Sequence, residues 1–235
     1  MVEVNGPKVY TYLFGNHSLP ITETMVSYWI VMVFIAVLCL FLTSKMEKIP
    51  KAKQAIAEKF VMMIDGLIDQ NMGKDCRQYS PFVATLMLSS VFGSLSTMFT
   101  FRSVTGDLNT TLGWALIVFV LIIYNKIKTN GFIGFLKSFG QPMAVMAPLN
   151  VLSELAVPVS MSFRHFGNIA GGMVISTLIV SSLGALSTAI HLPIPLFEIG
   201  IPGILSLYFD IFDSCVQAFI FSMLTMAYVG GAREE

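Results

Sequence analysis

Charge is what this sequence has least of. Of 235 residues, 14 are Lys or Arg and 14 are Asp or Glu, together 12%, about half the share a soluble globular domain carries. The mean hydropathy is +0.75. A soluble domain is excluded, and the chain reads as an integral membrane protein long enough for one compact bundle of five or six spans. Net charge is zero, so bulk charge gives no reason to expect a nucleic-acid partner, and none is expected. The three cysteines (Cys39, Cys76 and Cys215) are odd in number and scattered, with no disulfide or metal-ligand spacing. No metal or cofactor is expected. Residues 1–20 lack the apolar core of a cleavable signal peptide. Nor is there an internal repeat of the kind that marks many secondary transporters.

What is there is a series of apolar runs divided by basic clusters. Residues 25–43 form a first uncharged span, with Tyr28 and Trp29 near its start as in an interfacial aromatic belt. Lys45, Lys48, Lys51 and Lys53 follow it at once. By the positive-inside rule that end is cytoplasmic and the N-terminus is outside. Residues 55–72 repeat apolar side chains at helical spacing (Ile56, Phe60, Ile64, Leu67) but carry Glu58, Lys59, Asp65 and Asp69. They predict an amphipathic helix along the cytoplasmic interface.

Residues 81–101, rich in Ser, Gly and Thr, are the second span, and residues 111–125 the third. Residues 130–148 read as an inner loop. Two longer segments remain, 151–186 and 203–229, each exceeding a perpendicular crossing, so both are expected to tilt strongly or lie partly in the membrane plane. Of the 14 basic residues, 11 fall on the cytoplasmic side of this scheme, two outside and one in the membrane. The fold expected is therefore a single all-α membrane domain: five crossing helices plus one interfacial helix, with the C-terminus cytoplasmic.

The basic residue in the membrane is Arg164. A guanidinium at the bilayer centre costs between about 2.5 and 17 kcal/mol, and it cannot shed its proton to escape. At about 100° per residue, Ser153, Ser160, Arg164, Gly167, Asn168 and Gly171 share one stripe, with Gly172 at its border. The glycines let a neighbouring helix approach the guanidinium. A packing seam would explain the glycines but has no need of a permanent charge. On the last segment the same spacing groups Ser206, Asp210, Asp213, Ser214 and Gln217. Two carboxyls one turn apart in a membrane resist joint ionisation, which suits an ion relay. A static pair with Arg164 is the alternative, but two acids for one base leave a spare. Glu154 stands near the inner end of the arginine helix, placed to feed ions from the cytoplasm or to rest at headgroup level. His165 points about 100° away from Arg164 and reads as a packed side chain. Glu198 reads as solvated or as marking the outer mouth, and His17 as a surface residue. His191 has no companions at ligand spacing.

Three stretches carry a family resemblance: 149–171 (LNVLSELAVPVSMSFRHFGNIAG), 216–228 (VQAFIFSMLTMAY) and 106–112 (GDLNTTL). On these the chain resembles subunit a of the F-type rotary ATP synthase, of the bacterial kind, over nearly its whole length. The resemblance implies a stator in the bacterial plasma membrane, not an enzyme on its own, that faces a rotating c-ring and is held by b-type peripheral stalk subunits. It implies two ion half-channels for H⁺ or Na⁺. It assigns Arg164 to the family's essential arginine, Asn168 to the asparagine that follows it, Gln217 to the glutamine of the last helix and Asp210 to a titratable outer position. Two positions depart from the family pattern. His165 replaces the usual Leu, and Met173 stands where Glu or His is common, which leaves Asp210 and Asp213 to carry the outer path. Ser153, Ser160 and Glu154 are expected to line the inner path, and Gly167 and Gly171 to allow close rotor approach. A stand-alone secondary transporter or channel is the rival reading.

Overall fold

The computed structural model describes residues 8–12, 20–99, 102–141, 143–189, 200, 203–205 and 207–234. His17, His191, Glu198 and Ser206 lie outside the described residues. A short hairpin opens the chain, β1 (Val9–Tyr12) pairing antiparallel with β2 (Pro20–Thr22). Sequence reading saw only a polar N-terminal stretch there. Helices follow: α1 (Glu23–Thr43), α2 (Ala52–Asn71), α3 (Ser80–Leu95), α4 (Leu108–Ser138), α5 (Ala147–Ala189) and α6 (Ser214–Glu234), with a π-helical turn, Leu207–Asp213, leading into α6. Among the described residues, five helical stretches are long and apolar enough to cross a membrane: Glu23–Thr43, Lys74–Met98, Leu108–Ser138, Ala147–Thr188 and Gly203–Arg233. The protein is an all-α membrane protein, since hydrocarbon leaves backbone groups no partner except one another.

Local chemistry starts and stops the elements. Thr22 caps α1, its Oγ1 accepting from Met25 N at 3.4 Å, and Asp107 caps α4, accepting from Asn109 N at 3.0 Å. α2 buries Ile64 and Ile68 against the bundle and exposes Ile56 and Met63. Its acidic edge is tied down where Arg77 Nε donates to Asp69 at 2.9 Å. The core joins α2, α3, α4 and α6 through Ile64, Val83, Trp114, Val118, Phe221 and Met226. Tyr28, expected at the interface, instead packs on Trp114 with ring centroids 6.2 Å apart, while Trp29 stays exposed.

Two boundaries differ from the sequence reading. The third span does not end near residue 125: α4 runs to Ser138, with a break at Gly131 (φ 69°, ψ 164°) that only glycine adopts easily. Residues counted as loop are thus mostly helical, with Phe132, Ile133 and Leu136 exposed. The arginine segment is longer than expected, 43 residues in α5. At 1.5 Å per residue it reaches about 65 Å, twice the ~30 Å of hydrocarbon. Such a helix crosses only at a steep tilt.

Candidate functional site

The α5 stripe is directed away from the bundle. Ser153, Ser160, Arg164, Gly167 and Asn168 are exposed and Gly171 half-buried. A methyl group added at Gly167 or Gly171 would meet nothing within 4 Å. Among the described residues Arg164 has no hydrogen bond or ion pair. Leu155, Val159 and Phe163, between the stripe members, are also exposed, and three side chains close to Arg164 turn inward. Met161, Ser162 and His165 are fully buried. His165 Nε2 lies 3.2 Å from Ser90 Oγ on α3, and its ring meets the edges of Trp114 (6.0 Å) and Phe221 (5.2 Å). This packing fixes the rotation of α5 about its axis and so aims Arg164 outward.

Asn168 links the two long helices, its Nδ2 donating to Gln217 Oε1 at 2.6 Å. Asn168 also lines a small cleft of about 10 Å³, near the size of a single water, together with Ser94, Thr97, Met173, Asp210 and Ser214. Next to Ser94 a loop folds in against α3: Val104 N donates to Gly93 O at 3.2 Å, and Ser94 Oγ lies 2.6 Å from Thr105 Oγ1, which is 3.1 Å from Ser103 Oγ. The signal for this fold-back in the sequence is a handful of Ser and Thr, too common to single out. α5 meets the π-helical turn at Gly172, where an added methyl would come within 3.1 Å of Phe209 Cδ1.

The two acids differ in their surroundings. Asp210 lines the cleft and Asp213 does not, although α-helical spacing put them on one face. Both lie in the π-helical turn, where each turn takes more residues than 3.6. Glu154 is also placed differently from the stripe. Lys126 Nζ of α4 donates to its Oε2 at 3.0 Å, with both side chains only 18% exposed.

The described residues thus hold five apolar crossings, an outward arginine on a glycine-bearing helix, and a small cleft reached by Asn168 and Asp210. The family model for the ATP synthase A chain matches residues 25–230. The chain belongs to the ATP synthase subunit a family. It is 32% identical to the sodium ion specific ATP synthase subunit a of Propionigenium modestum, over 97% of this chain and 86% of that protein. It is 32% identical to ATP synthase subunit a 2 of Bradyrhizobium sp. (strain BTAi1 / ATCC BAA-1182), over 97% and 96%. With the subunit a of Desulforamulus reducens the identity is 34% over 94% of this chain and 82% of that protein. This ATP synthase subunit is therefore an ion-translocating membrane component of the rotary stator, multi-pass, and not an enzyme by itself. The stand-alone transporter reading is not favoured.

Proposed function

We propose that α5 presents Arg164 to the carboxylates of a rotating c-ring, and that the ions pass by two half-paths that meet at this arginine. The outer path runs along the cleft of Asp210, Asn168 and Ser214, with Asp213 and Gln217 beside it. The inner path runs along Ser160 and Ser153. Glu154, neutralised by Lys126, braces the inner mouth. Gly167 and Gly171 leave room for a ring helix. The observation that carries this reading is the exposed Arg164, without a partner among the described residues, on a stripe whose glycines border open space.

The energetics suit a stator. At ~4 Å and an effective dielectric near 20, a guanidinium attracts a bare carboxylate by about 4 kcal/mol. That strips the bound ion and blocks direct leakage between half-paths. It is comparable with the ~2.3 kcal/mol per charge that each 100 mV supplies, so the ring is not trapped. The distribution of lysines supports a cytoplasmic C-terminus and an outer N-terminal hairpin; the bacterial relatives support residence in a bacterial plasma membrane, and membership of the family supports b-type stalk subunits as further partners. The relative from Propionigenium modestum is named sodium ion specific. In this chain the choice between H⁺ and Na⁺ is read from ATP hydrolysis by the complex with and without Na⁺.

The test is ATP-driven pumping in proteoliposomes holding the complete complex. Arg164→Ala abolishes it, and Arg164→Lys also fails, because a compact ammonium does not replace a planar fork. Wild-type pumping by an assembled Arg164→Lys complex would overturn the reading.

A further inference from the structure

The elbow between α1 and α2 carries a second charged surface that ion translocation does not use. Residues 45–53 hold four lysines and one glutamate, a net of +3. They begin two residues after α1 ends, at headgroup depth if α1 spans. The segment is held in shape. Lys45 takes φ 61°, turning the chain, and Gln54 grips Glu47 twice, accepting from its N–H at 2.9 Å and donating to its carbonyl at 3.0 Å. Lys51 is engaged by Glu47 at 2.5 Å, and Lys53 Nζ lies 3.9 Å from the Phe41 ring centre. Lys45 and Lys48 join none of the ion pairs among the described residues. Beside them Met46 is 63% and Ile49 83% exposed. Of the α2 acids, Glu58 accepts from Gln54 Nε2 at 2.7 Å and so joins the hold on the elbow, Asp69 is paired with Arg77, and no ion pair among the described residues joins any α2 acid to Lys45 or Lys48.

We infer that this elbow is a docking surface for the headgroup of an anionic phospholipid, with Lys45 and Lys48 on the phosphate and Met46 and Ile49 among its acyl chains. Alternation of cation and apolar side chain within a held turn matches such an amphiphile on both counts. A free anion would use only the lysines, and a neutral lipid only the apolar pair. Juxtamembrane lysine clusters attract anionic leaflets in this way. The leaflet, cytoplasmic, rests on the topology proposed above; the recognition itself does not.

The experiment uses the complete complex in nanodiscs of an equal mixture of phosphatidylcholine and phosphatidylglycerol. The lipid retained after detergent washing is counted by native mass spectrometry. The wild type retains phosphatidylglycerol selectively. Lys45→Gln/Lys48→Gln lowers its affinity by about thirtyfold, the factor two lysines contribute at a membrane surface, and Lys45→Arg/Lys48→Arg keeps it. Pumping in phosphatidylcholine alone is unchanged by the glutamine pair, so a failure of the Arg164 mechanism is read in pumping and a failure of this surface in retention. Equal retention by the glutamine variant, equal retention of phosphatidylcholine, displacement of the lipid by inorganic phosphate, or cross-linking of Lys45 to a protein subunit with no lipid retained after washing would each overturn the inference.

Discussion

Breaking the Lys126–Glu154 bridge separates two roles for Glu154, ion carrier and brace. The pair spans α4 and α5 at 3.0 Å with each side chain 18% exposed. Exposed pairs contribute ~0.2–1 kcal/mol, whereas removing one partner of a buried pair costs ~3–5 kcal/mol because the other charge is stranded. At this exposure Lys126→Met or Glu154→Gln alone should destabilise by roughly 2–3 kcal/mol. For a chain of this size about 2–4 °C of Tm accompanies each kcal/mol, so each single variant should melt several degrees low in detergent. The double variant strands no charge and should recover all but about 1 kcal/mol. Pumping then decides the role. If Glu154 braces the inner mouth, the double variant pumps near the wild-type rate, while the singles lose activity in step with stability. A double variant that is as stable as wild type yet cannot pump would refute the brace and return Glu154 to the ion path.

Further substitutions test other contacts. His165→Ala should cost roughly 2–4 kcal/mol by opening a cavity between Trp114 and Phe221. His165→Leu keeps the volume and strands the Ser90 hydroxyl, at about 1 kcal/mol; thermal melts of the two variants check the order. Gly172→Val drives a side chain against Phe209, 3.1 Å from an added methyl, and should displace the turn that carries Asp210. Pumping should fall with little change in assembly, read by co-purification of the ring. Asp210→Asn with Asp213→Asn should block the outer path, and persistent ATP synthesis would move that path elsewhere. The Asp69 carboxyl is held below its ordinary value by its hydrogen bond from Arg77. Its stabilising effect is present above the unfolded value of about 3.9 and is lost as pH falls through the lowered folded value. Asp69→Asn should remove that acid-sensitive component of the melting curve.

The stripe on α5 was legible because a 3.6-residue period converts spacing directly into a face, and a lone arginine stands out in an apolar helix. The five apolar crossings among the described residues were legible because hydrophobic runs report depth. Where the backbone leaves the α-helical period the reading slipped. Asp210 and Asp213 were placed on one face by α spacing, but a π-helical turn advances differently. The helix from Lys128 to Ser138 was hidden by its glycines, which in sequence signal a loop and here serve a kink at Gly131. The pairs His165–Ser90, Lys126–Glu154 and Ser94–Thr105 depend on how helices and loop rotate against one another, and no single-helix period contains that information.

The outward arginine also explains why the chain keeps His165 and the Asn168–Gln217 bond so close to it. A guanidinium at the edge of hydrocarbon is pulled towards any acid or headgroup it can reach, and a flexible side chain gives it several ångströms of reach. Pairing with Asp213 would relieve that cost within the chain but would cancel the field on which the proposed rotor contact depends. Holding α5 in one rotation prevents such collapse. The buried histidine fixes the inward face, and the 2.6 Å amide bond fixes the approach of α6. The arginine's neighbours on the stripe are small, so nothing beside it competes for the charge. On this reading the cost of exposing Arg164 is offset only when an acid from another subunit arrives, and each arriving acid meets the same field of a few kcal/mol.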